Sequence, residues 1–192
     1  MNTPKQLVCL LRHTALSRGC QMDVQGFILL VNIIGLPEFR SLTIAQLQKI
    51  AQEDQKGRFE LRYTYHGFAV RAVQGHSFGL NMCYPTVIPR RMIHGTDDRG
   101  WEFINFDGVR VMTRDYIHAV DSHESYGLCH NATTLIYFDV EKVVEAGIAI
   151  HLSPNGYLLS RGNNGLLCPC FFAFAIRRSD GVSLPFMCHH HI

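Results

Sequence analysis

The sequence predicts an α+β protein of two parts, a helical N-terminal lobe ending in a β-hairpin, winged-helix-like, and a mostly β C-terminal lobe. Three observations predict it. Apolar residues recur at helical spacing in the first third of the chain, the period changes to two over "RFELRYTYHGFAVRAV" (58–73), and beyond Pro89 short strand-like runs alternate with turn residues. A chain of 192 residues that is 47% hydrophobic can bury a sizeable core, and we divide it at 1–86 and 87–192.

The first helix is bracketed by Thr3 as N-cap, Pro4 at the first helical position and Gly19 just past the end, with Leu7, Val8, Leu11, Ala15 and Leu16 on one stripe. The first 22 residues carry no acid, a composition shared with transit peptides, but the capping signals favour a folded helix. Within it, "LLRHTA" (11–16) sets Arg12 and His13 beside apolar neighbours, with no acid within ten residues. A charge in that setting needs a partner from elsewhere in the fold or from a ligand.

The apolar run Phe27 to Leu36 is about half the ~20 residues that span a bilayer and contains Asn32, so it is not transmembrane. "DVQG" (23–26) is a turn. "SLTIAQLQKIAQED" (41–54) is a second helix with Ile44, Leu47, Ile50 and Ala51 on one face. In the hairpin, Phe59, Leu61, Tyr63 and Tyr65 alternate with Arg58, Glu60, Arg62 and Thr64; His66-Gly67 is the tight turn, and Phe68, Val70 and Ala72 return. Arg71 lies on the other face with Ala69 and Val73 and reads as a second uncompensated cation.

Pro85 and Pro89 bracket a linker. "RRMIHGT" (90–96) ends in a turn, "GWEFINF" (100–106) forms one or two helical turns, and "TRDYIHAV" (113–120) and "TTLIYFD" (133–139) are strands. Asp139 caps a short helix closed by Gly147, and two strands flank the turn Pro154-Asn155-Gly156. "GLLCPCFFAFAI" (165–176) is apolar enough for a central strand, although Pro169 argues for an edge or a bulge, and Trp101 is a core residue.

Eighteen Lys and Arg against sixteen Asp and Glu give a net charge of +2, so no global field draws nucleic acid or membrane, and an anion site must be local. Seven cysteines without a CxxC pair signal neither a disulfide framework nor zinc, which points to reduced thiols in the cytoplasm or nucleus. The terminal "CHHHI" is too short and isolated for a metal site, and no GxGxxG supports a Rossmann domain.

The blocks "LLRHTA", "KGRFEL", "VRAVQGHS", "HGT", "TRDYIHA" and "SPNGYLLS", in that order and with "LIYFDVEKVVEAGI" before the last, closely resemble the NAD-dependent RNA (tRNA) 2′-phosphotransferase family, from about residue 5 to 172. The resemblance implies an N-terminal winged-helix RNA lobe and a C-terminal lobe of the ADP-ribosyltransferase type. It also implies removal of an internal RNA 2′-phosphate by a monomer that uses NAD as co-substrate and no metal. By motif match Arg12, His13, Arg71 and Arg114 fall on the family's catalytic tetrad. Gln74, His76 and Ser77 join Arg12, His13 and Arg71 as substrate-binding residues, and His94, Gly95, Thr96, His118, Ser153, Asn155 and Gly156 as cofactor-binding residues.

The family's reaction has two steps. The 2′-phosphate attacks the nicotinamide ribose and expels nicotinamide; a neighbouring ribose hydroxyl then attacks phosphorus, releasing 2′-hydroxyl RNA and ADP-ribose 1″,2″-cyclic phosphate. Guanidinium forks suit the first step, because they hold phosphate bidentately, and Arg114 is expected to stabilise the second. The chain departs from the family's pattern at Thr14, Val73, Cys129 to Asn131 and Tyr157, which bears on NAD affinity. The rival readings are a transferase that ADP-ribosylates a nucleic-acid end or a protein and stops after the first step, and a non-catalytic RNA-binding module.

Overall fold

The computed structural model describes residues 3–80, 82–125 and 127–187. The chain is mixed α and β with several small antiparallel sheets, and it divides into two compact units, Met1–Cys83 and Tyr84–Ile192. No helix among the described residues is long and apolar enough to cross a membrane.

In the first unit, helix α1 (Thr3–Cys9) runs directly into a π-helical turn, Leu10–Thr14, so Thr3 stands inside the helix and not at its cap. The far end follows expectation. Gly19 adopts φ 76°, and the bonds Cys20 N–H to the Ala15 carbonyl and Gly19 N–H to the Leu16 carbonyl close it as a Schellman motif. The apolar run that follows splits into a strand, β1 (Ile28–Leu29), and a short helix, α2 (Leu30–Ile34), before the 3-10 turn Pro37–Phe39.

Helix α3 (Ile44–Glu53) begins in a capping box, with the Thr43 hydroxyl accepting from the Gln46 N–H and the Gln46 side chain accepting from the Thr43 N–H. Leu47 of its apolar face is fully buried, whereas Ile44 is exposed, because the first turn overhangs the core that Leu47, Ile50 and Ala51 reach. Strands β2 (Phe59–Thr64) and β3 (Gly67–Ala72) form the hairpin, and the sheet order is β1-β3-β2. Thr64 pairs with Gly67, so the turn is Tyr65-His66, one residue earlier than the sequence reading put it. Leu7, Leu10, Leu11, Ile33, Phe39, Leu47 and Val70 build a single core under this sheet.

In the second unit, residues 85–87 are stitched to a neighbouring strand by bonds from Val87 N–H to the Ile150 carbonyl and from Leu152 N–H to the Pro85 carbonyl, so they do not form a free linker. "HGT" lies within a strand, β4 (Ile93–Thr96), and not in a turn; Asp97 directly after it caps helix α4 (Asp98–Asp107), accepting from the Gly100 N–H at 2.8 Å. Strands β5 (Val109–Arg110), β6 (Ile117–Ala119) and β7 (Thr134–Phe138) come next, so the first half of "TRDYIHAV" is a bend and only its end is extended.

Helix α5 (Val140–Glu145), capped by Asp139, is followed by β8 (Ile150–Leu152), β9 (Leu158–Ser160), β10 (Leu166–Leu167), a 3-10 turn at Pro169–Phe171, β11 (Phe172–Arg177) and β12 (Ser183–Leu184). The sheets are β12-β11-β7-β4, β6-β9-β8 and β10-β5. The "GLLCPCFFAFAI" run is thus broken at Pro169, as proline's missing donor requires, and β11 carries a register shift at its start. Trp101 is partly buried against the larger core of this unit.

Cys168 and Cys170 are joined as a disulfide, with Cα atoms 5.3 Å apart. The 3-10 turn that Pro169 begins shortens the chain enough to bring a C-x-C pair within disulfide reach, and this corrects the expectation of wholly reduced cysteines at that pair. Cys9, Cys20, Cys83 and Cys129 are free. No cluster of His, Cys, Asp or Glu among the described residues could hold a metal ion, and "CHHHI" lies outside them.

Gly108 links α4 to β5 at φ 88°, and a Cβ there would stand 2.4 Å from the Leu167 carbonyl oxygen. Backbone cannot yield as a side chain does. Gly108→Ala is expected to destabilise the second unit by about 2 kcal/mol or more, read as a lower thermal midpoint.

Candidate functional site

In the first unit the π-helical turn displaces Arg12 and His13 from the regular helical track, a device common at functional sites. It is tied to the loop after β3: the Ser77 N–H donates to the Arg12 carbonyl at 3.0 Å, and His13 Nδ1 lies 3.1 Å from Ser77 Oγ. Gly75, at φ 86°, lets that loop pass close to Arg12, since a Cβ there would stand 3.2 Å from Arg12 Cζ. Gln74 and His76 of the same loop are buried.

His76 is 2% exposed, and its Nε2 has no hydrogen-bond partner among the described residues. Burial, with the charges of Arg12, Arg71 and His13 adding to it, pushes its pKa down to about 4. The ring is therefore neutral at physiological pH, and its electrostatic neighbours show that Arg12, His13, Arg71 and His76 gather in one region of this unit.

Arg71 is not the uncompensated cation that its sequence setting implies. Its side chain is 14% exposed, and Glu60, its cross-strand partner on β2, accepts from Nε at 2.9 Å and from Nη2 at 2.6 Å. Nη1 donates to the Gln25 carbonyl at 2.8 Å, and the guanidinium carbon lies 4.7 Å from the centre of the Phe27 ring. Removing a guanidinium from water costs several kcal/mol, so a free state with these acceptors is the physically required one. Asp23 shapes the turn that supplies the Gln25 carbonyl, its carboxylate accepting from the Gln25 and Phe27 N–H groups.

In the second unit, three residues from separate segments line one cavity of about 500 Å³: His94 on β4, Arg114 in the bend before β6, and His118 on β6. A bridge between Ile93 and Val120 joins β4 to the end of β6 and brings the two histidines together. Phe103 and Ile104 of α4, Arg110, Met112 and Tyr116 also line it; the sequence reading missed all five, and only the two arginines so near in sequence hinted at it. Its walls are mainly apolar with a few convergent polar groups, the usual composition of a small-molecule site.

Burial is the main reason that the His94 pKa falls below its ordinary value; the nearby Arg114 charge lowers it further, against the bond to the His118 carbonyl. Nδ1 lies 2.9 Å from that carbonyl oxygen, which can only accept, so Nδ1 carries the proton and Nε2 of the neutral ring is an acceptor. His118 is oriented in turn, its Nδ1 donating to the Tyr116 carbonyl at 3.0 Å.

The remaining expected residues do not line this cavity. Gly95 packs against Leu128 and Ala132, where a Cβ would stand 3.0 and 2.9 Å from their side chains, and Thr96 is buried beside it. Ser153 and Asn155 bond to one another at 2.8 Å inside the turn that Gly156 closes at φ 81°. Tyr157 stands edge-on to His118, ring centres 6.0 Å apart.

Two predictions follow from the first unit's geometry. Because His76 titrates at about 4 when folded and near 6.5 when unfolded, its cost appears as the pH falls below about 6.5 and is complete near 4. That loss amounts to about 3 kcal/mol of unfolding free energy, and His76→Gln should flatten it in urea titrations across this range. Gly75→Ala should force Arg12 aside as well as straining the loop, and should lower the first unit's thermal midpoint while sparing that of the second.

The family model described as RNA 2′-phosphotransferase, Tpt1 / KptA family, matches residues 1–162. A relative from Schizosaccharomyces pombe is 32% identical over 191 residues, covering 94% of this chain and 52% of that protein, so the chain spans about half of it. The proteins named tRNA 2′-phosphotransferase 1 from Danio rerio and Homo sapiens are 30% and 29% identical, each covering 90% of this chain, and 84% and 74% of their own lengths. With residues 1–162 matched by that family model and a relative 30% identical over most of its own length, the chain belongs to the RNA 2′-phosphotransferase family.

Proposed function

We propose that the protein removes an internal 2′-phosphate from RNA, tRNA being the substrate class its relatives' names point to, and that NAD is the co-substrate that accepts the phosphate. In this reading residues 1–86 are a winged-helix-like RNA lobe and 87–192 an ADP-ribosyltransferase-type lobe. The succession of three helices and a hairpin in the first unit supports the former.

The single observation that carries the reading is the second unit's cavity, where His94 of β4 meets Arg114 and His118 from the segment that ends in β6. The donor set fits a dinucleotide: guanidiniums for phosphate, a neutral imidazole acceptor for a ribose hydroxyl, and the apolar wall of Phe103 and Ile104 for a planar ring. NAD, when bound, supplies an electrophilic anomeric carbon with nicotinamide as leaving group.

The chain's own residues bind and orient. Arg12, His13 and Arg71 hold the RNA's 2′-phosphate, with Gln74, His76 and Ser77 supporting that site. Arg114 offers a fixed positive charge where charge shifts among phosphate oxygens in the second step, an interaction that accelerates only to the extent that it strengthens at the transition state. His94 stays neutral and so accepts a proton-bearing group without competing for phosphate.

The test is incubation with NAD and an oligonucleotide carrying one internal 2′-phosphate. Nicotinamide, a cyclic phosphate and 2′-hydroxyl RNA are expected in equal amounts. Nicotinamide without 2′-hydroxyl RNA would indicate a transferase that stops after the first step, and binding without either product a non-catalytic module. Arg114→Ala should slow release of 2′-hydroxyl RNA on the order of a hundredfold or more while slowing nicotinamide release far less. Equal loss of both would remove the assigned role.

A further inference from the structure

The free-state partner of Arg71 is not a spectator. We propose that Glu60 is a positioning residue that holds the Arg71 guanidinium by its side-on edge so that the outer N–H groups face the RNA's 2′-phosphate. The inference rests on the reading of Arg71 as a phosphate-binding residue given above.

The geometry divides the guanidinium's five N–H groups. Glu60 Oε2 takes the Nε hydrogen and one of the two on Nη2, at 2.9 and 2.6 Å, and the Gln25 carbonyl takes one of the two on Nη1 at 2.8 Å. Among the described residues the one further contact of Nη1 is a 4.0 Å approach to Met82 sulfur, too weak to hold a proton against a phosphate oxygen. One N–H on each terminal nitrogen therefore has no acceptor among the described residues, and the proposal assigns this pair to the oxygens of the phosphate.

Glu60 and Gln25 fix the plane from two sides, and the Phe27 ring supports its face. An unheld arginine would lose several rotamers' worth of freedom on binding, a cost that preorganisation removes. Glu60 does this from β2, directly opposite Arg71 in the hairpin register, so the clamp is built into the sheet and not into a loop. Glu60 lies in the "KGRFEL" block, which the sequence reading gave no role at the site.

Both bonds converge on a single carboxylate oxygen, so the carbonyl oxygen of glutamine can take its place. This makes the proposal testable. Binding of a 2′-phosphorylated oligonucleotide and of its 2′-hydroxyl counterpart is measured without NAD, so the ratio of the two Kd values isolates the phosphate's contribution. KM and kcat are then measured with NAD, and thermal midpoints confirm folding.

Glu60→Ala should reduce the phosphate's contribution and raise KM by about tenfold, with kcat changed by less than about threefold. Glu60→Gln should restore both to within about twofold of the parent. If Glu60 instead merely occupied the site as a competing anion, both variants would bind the phosphorylated oligonucleotide more tightly, and the proposal would fall. Equal weakening in both variants would also overturn it, because charge and not the acceptor would then be what matters. A parent protein that shows the phosphate-dependent binding but no turnover would sink the proposed function and leave this inference standing.

Discussion

A guanidinium as buried as that of Arg71 must have acceptors before any substrate arrives, and much of the first unit's local structure answers to that demand. Hydration is lost on folding, so charge compensation has to be present in the free protein. Glu60 supplies it across the hairpin, and the Gln25 carbonyl from the turn that Asp23 shapes. Arg62 lies over the same Phe27 ring, 3.9 Å from its centre, and it too is compensated within this turn, by Asp23 and Gln25. Two cations can share one ring only because each has its own acceptors. The turn at 23–27, short and polar in sequence, is thus what allows a basic sheet face to exist.

In the second unit, as at His76 in the first, burial acts on a histidine in the opposite sense. Around its cavity burial suppresses a charge: burial and the nearby Arg114 both lower the His94 pKa and favour the neutral ring, and the His118 carbonyl fixes which nitrogen keeps the proton. A cationic imidazole there would repel Arg114 and offer only donors. A neutral one leaves Arg114 as a fixed charge and adds an acceptor beside it. The same principle, that a buried group adopts whichever protonation state its neighbours can satisfy, yields a paired cation in one unit and a neutral base in the other.

Much of this was legible in the chain and some was not, for identifiable reasons. The Schellman end at Gly19, the capped helix after Asp139 and the turn at Gly156 follow from single-residue backbone preferences, which act locally. The π-helical turn at Arg12 left no mark, because its apolar stripe is the same as that of an ordinary helix over so few residues. "HGT" read as a turn because glycine and threonine suit one, yet Gly95 serves close packing against Leu128 and Ala132 within a strand. The costliest slip was one residue in the hairpin. With His66-Gly67 as the turn, Arg71 falls opposite Arg62, like against like; with Tyr65-His66 it falls opposite Glu60. Since like charges directly across a ladder are destabilising, the charge pattern itself held the information that the turn signal obscured.

A carboxylate bonded to a phosphate-binding arginine would be self-defeating if the two ligands met the guanidinium on the same edge. In the arrangement proposed above they do not, and distance then decides the balance. A phosphate about 4 Å from the guanidinium centre gains roughly 4 kcal/mol per unit of charge at an effective dielectric constant near 20, while a carboxylate on the far edge, about 8 Å from it, returns only about half of that as repulsion. Net attraction survives, and it is directed, since hydrogen-bond geometry and not charge alone selects the end-on approach. What the pair gives up is long-range pull: to a distant polyanion Arg71 with Glu60 is nearly neutral. Such a site discriminates by contact, favouring a ligand with several acceptor oxygens that can reach the fork over backbone phosphates that merely pass nearby. In a chain whose net charge is only +2, recognition of this short-range kind is what the composition leaves room for.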